Sequence, residues 1–113
     1  YFNQNKIDTI FVFGGTNDSW ANSPLGINAD ESDFYSFCPA VKELVKEIKQ
    51  NLSDARVVFV INCGLSEAVT NAITEICEKN DIQTIALHDL EKVNGHPTKN
   101  GMQQICDQIY EQL

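Results

Sequence analysis

Two short segments carry side chains suited to catalysis. The first is Gly14-Gly15-Thr16-Asn17-Asp18. Its glycines allow a sharp turn. The Asn17 amide that follows can donate to a developing oxyanion. Asp18 accepts only when ionised, so its expected work is to fix the turn through backbone N–H groups. The plain alternative is an ordinary polar turn. The second segment is Gly95-His96-Pro97-Thr98. An imidazole titrates near neutral pH and can serve as general base and then general acid. The plain alternative is a solvated loop histidine. An amide and an imidazole presented together make half of an acyl-transfer constellation.

A third segment, Gly64-Leu65-Ser66-Glu67-Ala68, approximates the G-x-S-x-G elbow that exposes a nucleophilic serine. The order Ser66, Asp89, His96 matches that of α/β-hydrolases. Against it, Ala68 stands where the last glycine belongs, and Asp89 and His96 share one loop. Ser66 has a sufficient role as a helix N-cap, with Glu67 in the first turn. The capping role is the preferred reading.

The elements that would position these groups follow from hydrophobic spacing. Residues 7–13 (IDTIFVF), 56–62 (RVVFVIN) and 82–87 (IQTIAL) are short runs rich in branched and aromatic residues. They read as buried strands of a parallel sheet. Helical stripes lie between and after them. Val41, Leu44, Val45 and Ile48 form one, with Pro39 in its first turn. Val69, Ala72, Ile73, Ile76 and Cys77 form another. Met102, Ile105, Cys106, Ile109 and Leu113 form the last, with Thr98 as its cap. The order β-α-β-α-β-α predicts an α/β fold with right-handed crossovers. Asn17 and His96 would then both stand at the C-terminal edge of the sheet, where open α/β sheets bind ligands.

Residues 19–35 read as one long loop after the first strand. Such loops are often functional. Trp20 lies in it, and either lines a substrate cleft or pins the loop to the core. Asp30, Glu31 and Asp33 read as a solvated acidic stretch rather than a metal site. His88 reads as satisfied or solvent-facing rather than as a neighbour of His96.

Composition sets the outer limits. The 113 residues suit a single domain, and 42% apolar content argues against disorder. A net charge of −8 disfavours a nucleic-acid binder or a polybasic membrane-surface protein. No apolar run reaches the roughly 18–20 residues of a membrane span. Cys38, Cys63, Cys77 and Cys106 contain no C-x-x-C pair, and with two histidines a zinc site is not expected. The cysteines read as free thiols packed as small hydrophobes.

The segment FVFGGTND resembles the G-x-N-D block of the SGNH hydrolases, the GDSL-type esterases and lipases. GHPTKNGMQQI resembles their last block, in which the catalytic histidine precedes proline and a turn opens the final helix. The blocks stand in the family's order, and the resemblance spans residues 7–113. It implies a flavodoxin-like three-layer α/β/α sandwich with a parallel sheet, of which these are the last three βα units. It implies a serine ester hydrolase acting on a small acyl ester, with a carbohydrate-linked one as a further option. His96 is then the general base and Asn17 the oxyanion-hole donor. Gly15 and Trp20 are the expected substrate-binding residues. No metal or organic cofactor is implied, and the resemblance leans towards a secreted or periplasmic setting.

Two departures accompany the resemblance. No G-D-S nucleophile block occurs here, the chain begins at Tyr1, and its single methionine is Met102. The chain is thus expected to be the C-terminal portion of a larger hydrolase domain, inactive by itself. Its first strand would then have a bare edge, and bare edges invite self-association. The family also places an aspartate three residues before the histidine, and that position is Val93. Asp89, Glu91 and Asn94 are nearby substitutes. The alternative function is a non-catalytic module of the same fold that binds a glycan or a partner.

Overall fold

The β-branched and aromatic runs become the sheet. In a computed structural model describing residues 6–113, they form β1 (Thr9–Phe13), β2 (Arg56–Ile61) and β3 (Gln83–Ala86). All pairings are parallel, in the order β1-β2-β3. Each strand is a residue or two shorter than its apolar run, the usual uncertainty at element ends.

Parallel neighbours require crossovers, and helices supply them. The short helix α1 (Thr16–Ala21) and the long α2 (Phe37–Asn51) separate β1 from β2. Helix α3 (Glu67–Lys79) separates β2 from β3. Two two-residue strands, β4 (Lys92–Val93) and β5 (His96–Pro97), form an antiparallel hairpin before α4 (Lys99–Gln112). Helix α1 corrects the expectation of loop from residue 19, and only the stretch after it is irregular.

Side chains of β2 alternate between two cores. Val57, Phe59 and Ile61 face α2 and α3. Val58 and Val60, with Ile85 and Leu87, face Ile105 of α4. The sheet therefore lies between helices on both sides. This is the three-layer α/β/α arrangement predicted, and it explains why β2 is apolar at successive positions. The α3 stripe is buried at every predicted position. The α4 stripe is not: Ile105 is buried, whereas Met102, Cys106 and Leu113 are exposed. Helix α4 covers β2 and β3 with Ile105 and Ile109, and Met102 and Cys106 lie off that contact.

Strand β1 is covered on one side only. Val12 packs on the core beneath α2 and α3. Phe11 and Phe13 share the opposite face with their register partners Val58 and Val60. They nevertheless remain 45% and 48% exposed. Among the described residues, β1 pairs with β2 alone.

The predicted caps form. Ser66 Oγ accepts from Val69 N at 3.3 Å, and Thr98 Oγ1 accepts from Gly101 N at 3.0 Å. Pro39 lies in the first turn of α2. Cys38 and Cys77 are buried, and burial raises both thiols, Cys77 to about 11. They behave as packed hydrophobes. Cys63 is half-buried, and Cys106 is exposed, contrary to its expected place on an apolar face.

Candidate functional site

The site is built from the loops at the C-terminal ends of the strands. Strand β1 runs through Gly14 and Gly15 directly into α1. Gly15 sits over Val69, Ile73 and Phe37, so this turn rests on the main core. Thr16, Asn17 and Asp18 are the first residues of α1 rather than a free turn. The N-cap is Gly15, which has no side chain to cap with, and the Asp18 carboxylate makes no hydrogen bond among the described residues, so Asp18 does not fix the turn as expected. Asn17 is exposed, and its amide has no hydrogen-bond partner among the described residues. Residues three apart on a helix share a face, so Asn17 and Trp20 project from the same side of α1.

His96 is held by a hairpin that the sequence signals plainly. Val93-Asn94-Gly95-His96 puts Asn-Gly at the two central positions, with φ of 51° and 78°. Positive φ at both is the type I′ pattern that closes two-residue hairpins. Val93 is consequently paired directly with His96. The outer end of the hairpin is latched. Glu91 O accepts from Thr98 N at 3.1 Å. The Glu91 carboxylate accepts from Thr98 Oγ1 at 2.6 Å and from Asn100 Nδ2 at 2.9 Å. These two bonds hold Glu91 below the usual carboxylate range. Gly101 lies so close to the Glu91 carbonyl that a Cβ would fall 2.1 Å from its oxygen. Glycine is required there by the close approach of α4 to the hairpin.

The two halves meet through Trp20. Its indole and the His96 imidazole are 6.1 Å apart at their centroids with an interplanar angle of 79°. That is an edge-to-face arrangement. The indole also covers Gly95, where a Cβ would lie 2.8 Å from Trp20 Cη2 and Cζ2. Trp20 is still 55% exposed. It is thus not buried in the core. It bridges α1 to the histidine turn.

A polar chain below ties the same loops together. Asn62 Nδ2 donates to Thr16 Oγ1 at 3.0 Å, and Lys92 Nζ donates to Asn62 Oδ1 at 3.2 Å. Lys92 Nζ also donates to the Cys63 carbonyl at 3.1 Å. Ser66 N donates to Ser19 Oγ at 2.8 Å, fastening α1 to the start of α3. None of these links was legible beforehand, because the partners are distant in sequence. Only the Asn94-Gly95 pair gave a local signal for the hairpin.

Most of the remaining candidates are occupied elsewhere, whereas the Asn94 side chain has no hydrogen-bond partner among the described residues. Asp89 Oδ2 lies 3.0 Å from His88 Nδ1, and both side chains are exposed. Glu91 serves Thr98 and Asn100. Ser66 is a cap. Asp30 accepts from Ser32, and Asp33 accepts from Ser36. Two of the three carboxylates of the acidic stretch therefore serve local turns.

The sequence profile described as GDSL-like Lipase/Acylhydrolase matches residues 3–113. The chain belongs to this family. Two crystal structures of GDSL-like family proteins superpose on it. One, from Bacteroides uniformis and described as a GDSL-like lipase, is 44% identical with a TM-score of 0.88. The alignment covers 96% of this chain and 53% of that one. The other, likewise described, is from Bacteroides ovatus and is 39% identical with a TM-score of 0.85. It aligns over 92% of this chain and 52% of its own. The chain therefore spans about half the length of these GDSL-like proteins. No curated protein matches it. The sheet and its flanking helices are those of the SGNH hydrolase fold.

Proposed function

We propose that this GDSL-like chain supplies the base and an oxyanion donor of a serine ester hydrolase. The observation that carries the reading is the meeting of α1 with the His96 turn at the C-terminal end of the sheet, through Trp20. It draws the Asn17 face of α1 towards the imidazole. In this reading a serine from outside these residues attacks the acyl carbon. His96 takes the hydroxyl proton and returns it to the leaving alcohol. The Asn17 amide donates to the tetrahedral oxyanion. Water then attacks the acyl-enzyme, again with His96 as base. Gly15 borders the space left for substrate, and Trp20 stands against the imidazole. The substrate is a small acyl ester, with a carbohydrate-linked ester as the more specific option.

The same reading makes the chain the C-terminal portion of its hydrolase domain. The half-covered β1, with Phe11 and Phe13 exposed, supports it. The 113 residues alone are then inactive and prone to associate through the β1 edge.

The whole protein is expected to hydrolyse p-nitrophenyl acetate. His96→Ala is expected to abolish turnover, and Asn17→Ala to lower it by roughly 100- to 1000-fold. Undiminished hydrolysis by His96→Ala refutes the assignment. The second reading is a non-catalytic binding module. Val93 favours it, since an apolar side chain faces His96 across the hairpin. Glycan binding by the whole protein, without hydrolysis of any acyl ester tested, would select that reading.

A further inference from the structure

We propose that Trp20 is the positioning residue for His96, holding the imidazole in the absence of a carboxylate from this chain. The proposal rests on the esterase reading above. A catalytic imidazole must be fixed in orientation, because a misplacement of about 1 Å can cost on the order of 100-fold in rate. A hydrogen-bonded acid ordinarily does this. Here the residue paired with His96 is Val93, whose side chain has no polar atom to offer. Asp89 is joined to His88, and Glu91 is joined to Thr98 and Asn100. The group that does meet the imidazole is the Trp20 indole, edge-to-face at 6.1 Å. The same indole lies on Gly95, so it fixes both the ring and the turn that bears it.

The brace is itself anchored. Trp20 belongs to α1, whose first residue is bonded to Asn62 and whose Ser19 is bonded to Ser66 N. Lys92 of the hairpin bonds the same Asn62. The contact therefore joins two supports already tied to each other, and neither ring has to be held by the other alone. The hairpin geometry also specifies a substitute. Directly paired side chains on antiparallel strands have Cβ atoms about 4.5–5.5 Å apart. An aspartate introduced at position 93 is thus within reach of the imidazole.

The test uses the whole protein, with p-nitrophenyl acetate as substrate and ring-labelled histidine for NMR. The His96 resonances are assigned by their loss in His96→Ala, and those of His88 serve as the folding control. Trp20→Ala is expected to lower kcat by roughly 10- to 100-fold with KM little changed. It should also shift the His96 ring resonances while leaving those of His88 in place. Trp20→Phe should recover most of kcat, and Val93→Asp introduced into Trp20→Ala should recover part of it. An increase in KM at unchanged kcat would make Trp20 a substrate-lining residue and overturn the proposal. Unmoved His96 resonances in Trp20→Ala would overturn it as well. Failure of the esterase reading is separate and appears as activity that survives His96→Ala.

Discussion

At the residue scale, the account turns on what surrounds His96. The imidazole sits on a two-residue turn whose conformation demands positive φ at both central positions. Asn94 tolerates that region, and Gly95 meets a second demand, because the Trp20 indole leaves no room for a Cβ. Gly95→Ala is therefore expected to cost about 1–2 kcal/mol from the backbone alone. It should also displace Trp20 and lower kcat, whereas a strain confined to the turn would lower Tm and spare turnover. Thermal unfolding and p-nitrophenyl acetate kinetics on the same variant separate these outcomes. Asn17 and His96 stand out as candidates in the sequence because each lies in a short block with a characteristic neighbour. The contact of Trp20 with His96 does not, since the two residues lie far apart along the chain. The carboxylates near Val93 are a different case. Asp89 and Glu91 looked available, and the fold engages each with a closer neighbour.

At the element scale, long periodic segments were legible and short ones were not. Helix α3 shows five buried positions at the predicted spacing. Helix α1 is six residues, TNDSWA, with no apolar stripe and several weak helix formers. Local preference does not make it a helix. Its anchors do, namely Thr16 on Asn62, Ser19 on Ser66 and Trp20 on Gly95. The β4–β5 hairpin is likewise too short for periodicity, although Asn94-Gly95 announces it. The latch from Glu91 to Thr98 and Asn100 gives this region an acid dependence. The folded-state pKa of Glu91 is depressed, so the unfolded chain binds more protons in the interval below the ordinary glutamate value of about 4.3. The contribution is full above that value and is lost as pH falls through the folded pKa. Exposure keeps it small. Over an acid series of melting curves, Glu91→Gln should lose Tm less steeply than the parent. Parallel slopes would show that the latch carries no proton linkage.

At the scale of the whole molecule, the sheet has one finished side and one unfinished strand. The alternation of β2 between two cores predicts helices on both faces, and they are present. The same logic leaves Phe11 and Phe13 without cover. Apolar side chains beside an unpaired parallel edge are a surface for another strand or helix. The 113-residue chain is accordingly expected to self-associate, and light scattering should report a mass above 12.6 kDa at working concentration. A monomer there would mean that the edge is protected. The chain aligns with GDSL-like structures over about half of their length. The site holds a candidate base and a candidate oxyanion donor, and no serine among the described residues is assigned as nucleophile. Ser66, the one serine in an elbow-like motif, is engaged as a cap to Val69 N.

The most direct measurement is p-nitrophenyl acetate turnover by the whole protein, comparing His96→Ala with Ser66→Ala. The account predicts that His96→Ala abolishes turnover. It predicts that Ser66→Ala costs about 1 kcal/mol of stability and keeps kcat. Sustained turnover in His96→Ala, or its loss in a folded Ser66→Ala protein, would contradict it.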